Sequence, residues 1–440
     1  MILLWAFSSA LIAVASAETL PKLLSPRLSD LQRDVATGKA DAGQLFWIEI
    51  ADHAPLVETI PNSPKEAWVT FLWRDSGATR DVVVVARLNG IAPFQDAQSH
   101  MIQLKGTDVW YRTYRLPIES RFTYFFSVNS QEAVAAQDVK RVRATYEPDP
   151  LNSRRYTEPT EDGRLDPNAQ IRSVAILSEP ASENPAIAQP GRLAGEITLE
   201  RMRSETLKNE RRIWIYTPPG FSPRLQPYPL LILLDGWSYL KRVPATTILD
   251  NLLAQNRIPP CVAVLVDNAE GAARNRELHY DEDFVKFLST ELLPKIRERY
   301  RAGTIPGQTV IGGSSAGGLT AAFVALRRPD LFGKVLSQSG AFWWWRDGPD
   351  PEAVWLAREF AARPLAGIQF SLTAGLFEDA PNPRSAPNLL TANRHIRDVL
   401  RAKGYTVDYR EVPGGHEPLS WTATFAGSLQ QLLAEPRREN

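Results

Sequence analysis

Gly313-Ser-Ser-Ala-Gly317 matches the pattern Gly-x-Ser-x-Gly, in which Ser315 alone has a glycine two positions away on each side. A strand-like run, Thr309 to Gly312, precedes it, and an apolar helical run, Leu319 to Leu326, follows it. A turn of this kind lifts its serine above the sheet, and the helix N-terminus favours negative charge that develops there. Neither glycine-rich phosphate-binding motif is present in the stretch. The pattern therefore predicts a nucleophilic serine on an α/β fold.

Strand-like and helical runs alternate around this turn, from about Gly191 to the end of the chain. Leu230 to Leu234 and Val262 to Val266 are continuously apolar, as central strands buried on both faces are. Such alternation predicts a mostly parallel sheet with helices on both faces. Together with the serine turn, it indicates an α/β-hydrolase fold for residues 191–440.

A nucleophilic serine needs a base, and α/β-hydrolases carry a histidine in the loop after the last strand. His416 follows two glycines, directly after the predicted strand Val407 to Val412. Its place in the chain, after the serine and after the expected acid, also fits that fold. We therefore predict His416 as the general base for Ser315.

The carboxylate that orients this histidine should follow the preceding strand, Ile368 to Thr373. Glu378 and Asp379 both lie in the loop after that strand. Asp408 is a third candidate, but it lies within a strand, from which its side chain cannot readily reach the following loop. We predict Glu378 as the acid and keep Asp379 as the alternative.

The oxyanion of an acyl-transfer intermediate is stabilised in this fold by two backbone N–H groups. One belongs to the residue after the nucleophile, here Ala316. The other lies in the loop after an early central strand, which corresponds to Leu233-Leu-Asp-Gly-Trp237. We predict Gly236 or Trp237 as the second donor, with Gly236 allowing the backbone to approach the substrate.

The first half of the chain has a different pattern, with short β-type runs between about Gly43 and Val128 that are broken by turn residues. These runs, which begin with Leu45 to Ile50, predict an all-β, immunoglobulin-like sandwich domain over residues 18–146. Residues 147–190 are rich in proline and show little hydrophobic periodicity. They predict an extended connector between the two domains.

Residues 1–17 contain no charged side chain and end in Ala15-Ser-Ala17, the small-x-small pattern of a signal-peptidase site. This segment predicts a signal peptide and export to the periplasm. No other stretch has the ~18 uninterrupted apolar residues of a spanning helix, so we expect no stable membrane insertion after its removal.

Composition excludes several classes of function. The 440 residues carry 50 Lys+Arg and 50 Asp+Glu, so the chain has no overall positive field for nucleic acid. Its one cysteine, Cys261, cannot form an internal disulfide, and its five histidines show no metal-binding spacing. We expect no metal and no cofactor. The sequence does not indicate an oligomeric state.

Several motifs in order along the chain resemble the enterochelin (enterobactin and salmochelin) esterase family. In the second half they are Leu233-Leu-Asp-Gly236, Arg276-Glu-Leu278, Gly313-Ser-Ser-Ala-Gly-Gly318, Phe332-Gly-Lys-Val-Leu-Ser-Gln-Ser-Gly340, Trp343-Trp-Trp345 and Gly414-Gly-His416. In the first half they are Val69-Thr-Phe-Leu-Trp-Arg-Asp75, Gly106-Thr-Asp-Val-Trp110, Asp149-Pro-Leu-Asn152 and Ser204-Glu-Thr-Leu-Lys-Asn209. The similarity runs from about residue 67 to the end.

The resemblance implies a serine esterase that hydrolyses the ester bonds of catecholate siderophores, ferric or iron-free, through an acyl-enzyme. It implies Ser315, His416 and Glu378 as the triad and places Arg276 near the catecholate. A ferric tris-catecholate is an aromatic trianion, which calls for guanidinium groups and aromatic faces. Such groups could come from the residues that we predict to bind substrate: Arg276, Arg274, Trp343 and Trp344.

Two departures from the family pattern concern the substrate rather than the chemistry. Members often have GQSFGG around the nucleophile and an aspartate after the histidine, where this chain has Ser314, Ala316 and Glu417. An alternative hypothesis is therefore a feruloyl or acetyl esterase acting on carbohydrate, with the sandwich as a sugar-binding module. A third is a binding protein that carries the siderophore without cleaving it.

Overall fold

The structure is a computed structural model that describes residues 23–434 except 161–169, 179–184, 188, 190, 226, 270–271, 347, 349–353, 383 and 385. The predicted signal peptide, residues 1–17, lies outside the described residues. Within the described part, no helix is long and apolar enough to cross a membrane. The same residues contain no group of three or more His, Cys, Asp or Glu side chains that could hold a metal ion.

The described chain begins with two helices, α1 (Pro26–Ala36) and α2 (Ala42–Ile50). The predicted strand Leu45 to Ile50 is therefore wrong. Phe46, Trp47 and Ile50 are spaced as on one face of a helix, and this apolar face is buried in one cluster with residues of α1. The β-type composition of this stretch was outweighed by packing of that face.

Nine strands and two short α-helices follow among the described residues. They are β1 (Leu56–Thr59), β2 (Glu66–Arg74), β3 (Val82–Val85), β4 (Ile102–Gln103), β5 (Val109–Pro117), β6 (Arg121–Val128), α3 (Gln131–Ala135), α4 (Val139–Ala144), β7 (Tyr146–Glu147), β8 (Arg155–Tyr156) and β9 (Arg172–Ile176). One sheet has the order β1-β2-β5-β4, and the other has the order β3-β6-β9-β8 with β7 on β6. Side chains from both sheets, including Phe71 and Phe126, share one buried cluster. The predicted all-β sandwich is confirmed.

The segment 147–190 is more than a connector, because β8 and β9 lie within it. β9 pairs antiparallel with β6 and belongs to the sandwich. Asp149 accepts a hydrogen bond from the hydroxyl of Tyr124 on β6 (2.7 Å), and Asn152 donates to the carbonyl of Val174 on β9 (3.0 Å). The prediction of a connector is thus wrong for these strands, because this pairing depends on partners about 50 residues earlier and leaves little local pattern.

The C-terminal part is one eight-stranded sheet with helices. Its elements are β10 (Glu196–Ser204), β11 (Asn209–Thr217), β12 (Leu230–Leu234), α5 (Gly236–Lys241), α6 (Ala245–Ala254), β13 (Val262–Val266), α7 (Ala273–Glu277), α8 (Glu282–Lys286), α9 (Leu293–Tyr300), β14 (Thr309–Ser314), α10 (Ala316–Arg327), β15 (Lys334–Gln338), α11 (Trp355–Ala362), β16 (Gln369–Gly375), α12 (Leu389–Lys403), β17 (Thr406–Val412) and α13 (Pro418–Leu433).

The strand order is β10-β11-β13-β12-β14-β15-β16-β17, and the strands from β13 to β17 are all parallel to one another. Strands β12 and β13 are buried along their whole length, as their continuous apolar sequence predicts. This confirms the α/β-hydrolase fold. The carboxyl ends of β12, β14, β16 and β17 therefore meet at one edge of the sheet, where ligands bind in open parallel sheets.

Candidate active site

Ser315 lies in the sharp turn between β14 and α10. Its backbone has φ 55° and ψ −121°, a conformation that non-glycine residues rarely adopt. A Cβ atom on Gly313 would lie 2.6 Å from the backbone of Gly317, so the turn can close only with glycine there. The sequence Gly-x-Ser-x-Gly thus makes a strained turn whose serine faces the sheet edge.

His416 lies between Ser315 and Glu378. The Nε2 atom of His416 is 3.0 Å from the Ser315 hydroxyl, and its Nδ1 atom is 2.7 Å from the Glu378 carboxylate. Because a carboxylate only accepts hydrogen bonds, Nδ1 carries the proton and Nε2 is free to accept the serine proton. This is the geometry of a nucleophile, a base and an orienting acid.

Glu378 is held in place by the loops that carry it. Its side chain is 1% exposed, compared with 35% for His416. Its second carboxylate oxygen accepts a hydrogen bond from the backbone N–H of Gly375 (2.8 Å). A Cβ atom on Gly375 would overlap the Gly414 carbonyl at 2.3 Å, so this glycine lets the acid loop and the histidine loop touch.

The two other acid candidates point elsewhere. Asp379 faces the sandwich domain, where its carboxylate lies 3.4 Å from the position of a Cβ atom on Gly90. Asp408 pairs with Arg410 at 2.8 Å. The structure brings neither of them to His416.

The predicted oxyanion donors lie at the starts of two helices. Ala316 begins α10, and Gly236 and Trp237 begin α5 after Asp235, which has a left-handed backbone (φ 57°, ψ 51°). A Cβ atom on Gly236 would lie 2.6 Å from the backbone of Leu265. Glycine is thus needed for packing against β13, which differs from the predicted reason, an approach to the substrate.

Ser315 and His416 open onto a cleft of about 650 Å³. Five arginines are among its lining residues, and each meets a carboxylate. The pairs are Arg201–Glu210 (3.3 Å), Arg211–Glu277 (3.0 Å), Arg212–Asp267 (2.7 Å), Arg242–Glu158 (2.8 Å) and Arg274–Asp235 (2.6 Å). Burial raises the pKa of Asp267, and its hydrogen bond from Arg212 partly offsets that effect. The cleft is therefore polar but largely neutral.

Of the two predicted substrate-binding arginines, the structure places only Arg274 in this cleft. The hydrogen bond to Asp235 raises the pKa of the Arg274 guanidinium. Arg276 is 59% exposed and instead meets Glu277 (3.3 Å) and Asp281 (3.8 Å). Residues two apart on a helix face different directions, so α7 cannot present both to one ligand.

Trp343 and Trp344 line a second cavity, of about 420 Å³, which also includes His416 and Glu378. Two arginines in its wall, Arg87 and Arg384, were not among the predicted site residues. Arg384 follows the acid in the same loop, which was an available signal. Arg87 lies in the sandwich domain, and no local pattern connects it with the serine.

Comparison with known proteins agrees with the fold. Residues 204–432 match the family described as "Putative esterase", and residues 68–184 match "Enterochelin esterase, N-terminal". An iron(III) enterobactin esterase of Escherichia coli (strain K12) is 30% identical over 83% of this chain and 90% of that protein. An iron(III) salmochelin esterase of Escherichia coli O6:H1 is 26% identical over 92% of this chain and 97% of that protein.

A solved structure gives the same result. The enterobactin esterase of Shigella flexneri, crystallised in the presence of enterobactin, superposes with a TM-score of 0.67 at 26% identity. The match covers 89% of this chain and 98% of that one. The chain therefore belongs to the enterochelin esterase family and is a carboxylic ester hydrolase.

Proposed function

We propose that this protein hydrolyses the ester bonds of catecholate siderophores of the enterobactin and salmochelin type, with Ser315, His416 and Glu378 as its catalytic triad. The observation that carries the proposal is the hydrogen-bonded chain from the Ser315 hydroxyl through His416 to Glu378. The similarity of this protein to the family extends over both domains. Relatives named as iron(III) enterobactin esterase and iron(III) salmochelin esterase support this substrate class.

The first half-reaction forms an acyl-enzyme. The Ser315 oxygen attacks the ester carbonyl carbon while His416 Nε2 takes the hydroxyl proton. The negative charge on the carbonyl oxygen is stabilised by the N–H of Ala316 and by that of Gly236 or Trp237. The ester C–O bond then breaks, and His416 gives its proton to the leaving oxygen, which departs as an alcohol.

The second half-reaction returns the enzyme to its starting state. Water attacks the acyl carbon, His416 takes the water proton, and collapse of the intermediate breaks the bond to the Ser315 oxygen. That oxygen recovers the proton from His416, and the carboxylic acid leaves. Glu378 remains ionised throughout and stabilises the imidazolium form of His416.

Hydrolysis of enterobactin, iron-free and ferric, tests the proposal, with the products identified by mass spectrometry. We expect linear trimer, dimer and monomer of dihydroxybenzoylserine. Ser315→Ala should lower kcat on the order of 10⁶-fold while substrate binding remains. His395→Ala is a matched control for His416→Ala, because His395 is exposed on α12, and it should keep full activity.

Three results would contradict the proposal. Normal turnover by Ser315→Ala would show that Ser315 is not the nucleophile. Cleavage of a feruloylated oligosaccharide without cleavage of enterobactin would show that the substrates are carbohydrate esters. Binding of enterobactin with no burst of acyl-enzyme would indicate a carrier protein.

We also propose that residues 1–17 direct export to the periplasm, on the basis of the uncharged apolar segment that ends in Ala15-Ser-Ala17. Expression of the full chain in a Gram-negative host tests this proposal. We expect the protein in the periplasmic fraction with Glu18 as its first residue. An intact N-terminus in the cytoplasmic fraction would contradict it.

A further inference from the structure

The second cavity combines two uncompensated arginines with two indole rings. Its wall includes Arg87 from the sandwich domain and Arg384, Trp343 and Trp344 from the hydrolase domain. It shares His416 with the larger cleft, so a ligand in it would lie next to the triad. About 420 Å³ is enough for one substituted aromatic ring and is within the size range of small-molecule sites.

Charge distinguishes this cavity from the larger cleft. In the part of the chain that the structure describes, neither Arg87 nor Arg384 forms an ion pair with a carboxylate. The five arginines of the larger cleft are all paired. Glu378 is the only carboxylate among the described lining residues, and both of its oxygens already accept hydrogen bonds. Of these two cavities, the second is therefore the one that favours binding of an anion.

The aromatic part of the cavity is preorganised. The guanidinium of Arg384 lies 4.4 Å from the ring centroid of Trp344 and 5.7 Å from that of Trp343. The His279 ring lies 4.1 Å from the Trp344 ring, and the Tyr280 hydroxyl donates to the Trp344 carbonyl (2.9 Å). Flat rings beside a guanidinium favour a flat aromatic ligand with negative charge.

The loop that carries Arg87 is fixed against the hydrolase domain. Leu88 and Ile91 are buried in one cluster with Phe377, which immediately precedes Glu378. Gly90, with φ 74°, lets the chain turn where Asp379 approaches it. Arg87 is thus held close to the loop that contains Arg384, although the two residues belong to different domains.

We propose that Arg87, Arg384, Trp343 and Trp344 form a binding site for a flat aromatic anion, the iron-bound catecholate arm of the ester substrate. The sandwich domain then takes part in substrate recognition through Arg87. The identity of this arm rests on the proposed function, whereas the preference for an aromatic anion rests on the cavity alone.

Binding to the full-length protein with the single change Ser315→Ala tests the site, with calorimetry and two probes of nearly equal shape. One probe is 2,3-dihydroxybenzoate, which is an anion at neutral pH, and the other is the neutral 2,3-dihydroxybenzamide. We expect the anion to bind about tenfold more tightly, since a charge-assisted hydrogen bond is stronger than a neutral one. Equal affinity for the two probes would overturn the proposal. This comparison requires no substitution in the cavity.

Arginine variants locate the effect. Arg87→Gln and Arg384→Gln should each weaken 2,3-dihydroxybenzoate about tenfold and leave the benzamide unchanged. Arg257→Gln is a matched control, because Arg257 is exposed, is hydrogen-bonded to Gln430 and lines neither cavity. If both cavity variants bind the anion as Arg257→Gln does, the proposed site is wrong.

Kinetics separate this proposal from the proposed function. In the active enzyme, Arg87→Gln and Arg384→Gln should raise KM for ferric enterobactin, whereas Arg257→Gln, which lies in neither cavity, should leave it unchanged. Cleavage of enterobactin with unchanged KM in both variants would overturn the site and keep the function. If both variants lose anion binding but the wild-type enzyme does not cleave enterobactin, the binding site is supported and the proposed function is wrong.

Discussion

The carboxylate of Glu417 accepts three hydrogen bonds from Thr123, which lies 294 residues earlier in the chain. Two come from the Thr123 backbone N–H, at 3.1 Å to each carboxylate oxygen, and one comes from its hydroxyl at 2.6 Å. Glu417 immediately follows His416, and Thr123 lies on β6 of the sandwich. The sandwich is therefore bonded directly to the loop that carries the proposed general base.

Other contacts at the same junction act on the same loops. The backbone N–H of Arg121 donates to the Pro413 carbonyl (3.1 Å), and the rings of Phe122 and Phe377 meet edge to face at 6.0 Å. Phe377 precedes the proposed acid. The start of β6 thus contacts both the histidine loop and the acid loop.

Glu417→Ala should lower the free energy of unfolding by about 2 kcal/mol, because it leaves the Thr123 donors without their charged acceptor. It should also lower kcat for p-nitrophenyl acetate about tenfold through displacement of His416. Thr123→Ser keeps every hydrogen-bond donor and is the matched control. It should leave both the free energy of unfolding and kcat unchanged. Steady-state kinetics and urea unfolding measure both effects. An unchanged kcat in Glu417→Ala would show that the junction does not position the histidine.

Glu378→Gln should lower kcat about 10⁴-fold, because an amide in place of the carboxylate no longer stabilises the imidazolium and favours the wrong tautomer. Asp379→Asn, one residue later, is the control and should stay within about twofold of the wild type, since Asp379 faces Gly90. The ratio of the kcat values of Glu378→Gln and Asp379→Asn identifies which carboxylate acts as the acid. A larger loss in Asp379→Asn would reverse the assignment of the acid.

Gly236→Ala should destabilise the protein by about 1–3 kcal/mol and lower kcat at least about tenfold. Its new Cβ atom would lie 2.6 Å from the Leu265 backbone and would push the loop of the oxyanion donors away from Ser315. Gly43→Ala, on α2, meets no atom within 4 Å and serves as the control. Parallel stability and activity measurements on both variants check the prediction. Wild-type kcat in Gly236→Ala would contradict it.

Asp149 should make the stability of the protein depend on pH. Burial raises the pKa of Asp149 from 3.8 to about 6. Because the folded pKa is the higher one, the contribution of Asp149 to stability is fully present below pH 3.8 and is lost as pH rises through about 6.

Asp149→Asn has no such titration. Its free energy of unfolding relative to the wild type should therefore rise by about 2 kcal/mol between pH 4 and pH 7. Urea unfolding of both proteins at several pH values in this range measures the difference. A difference that does not change with pH would show that Asp149 keeps its ordinary pKa in the fold.

Local sequence was sufficient for the features that depend on near neighbours. The serine turn and the buried strands β12 and β13 follow from glycine spacing and hydrophobic patterns within a few residues. The same reasoning was wrong at Leu45 to Ile50, because the local β-type composition did not show that an apolar helix face packs on α1. It also missed β9, whose pairing partner is on β6.

What this sequence determined by itself is the serine turn and the kinds of side chain at the sheet edge, because a strained turn, a chain order of strands and the residue types in their loops are local properties. The tertiary structure decided which neighbour of each type is used: Glu378 rather than Asp379 next to His416, and Arg274 rather than Arg276 in the cleft. It alone placed Arg87 in one cavity with Glu378 and His416 and bonded Thr123 to Glu417. These choices depend on the direction of each side chain and on contacts between distant parts of the chain, which only the packed domains establish.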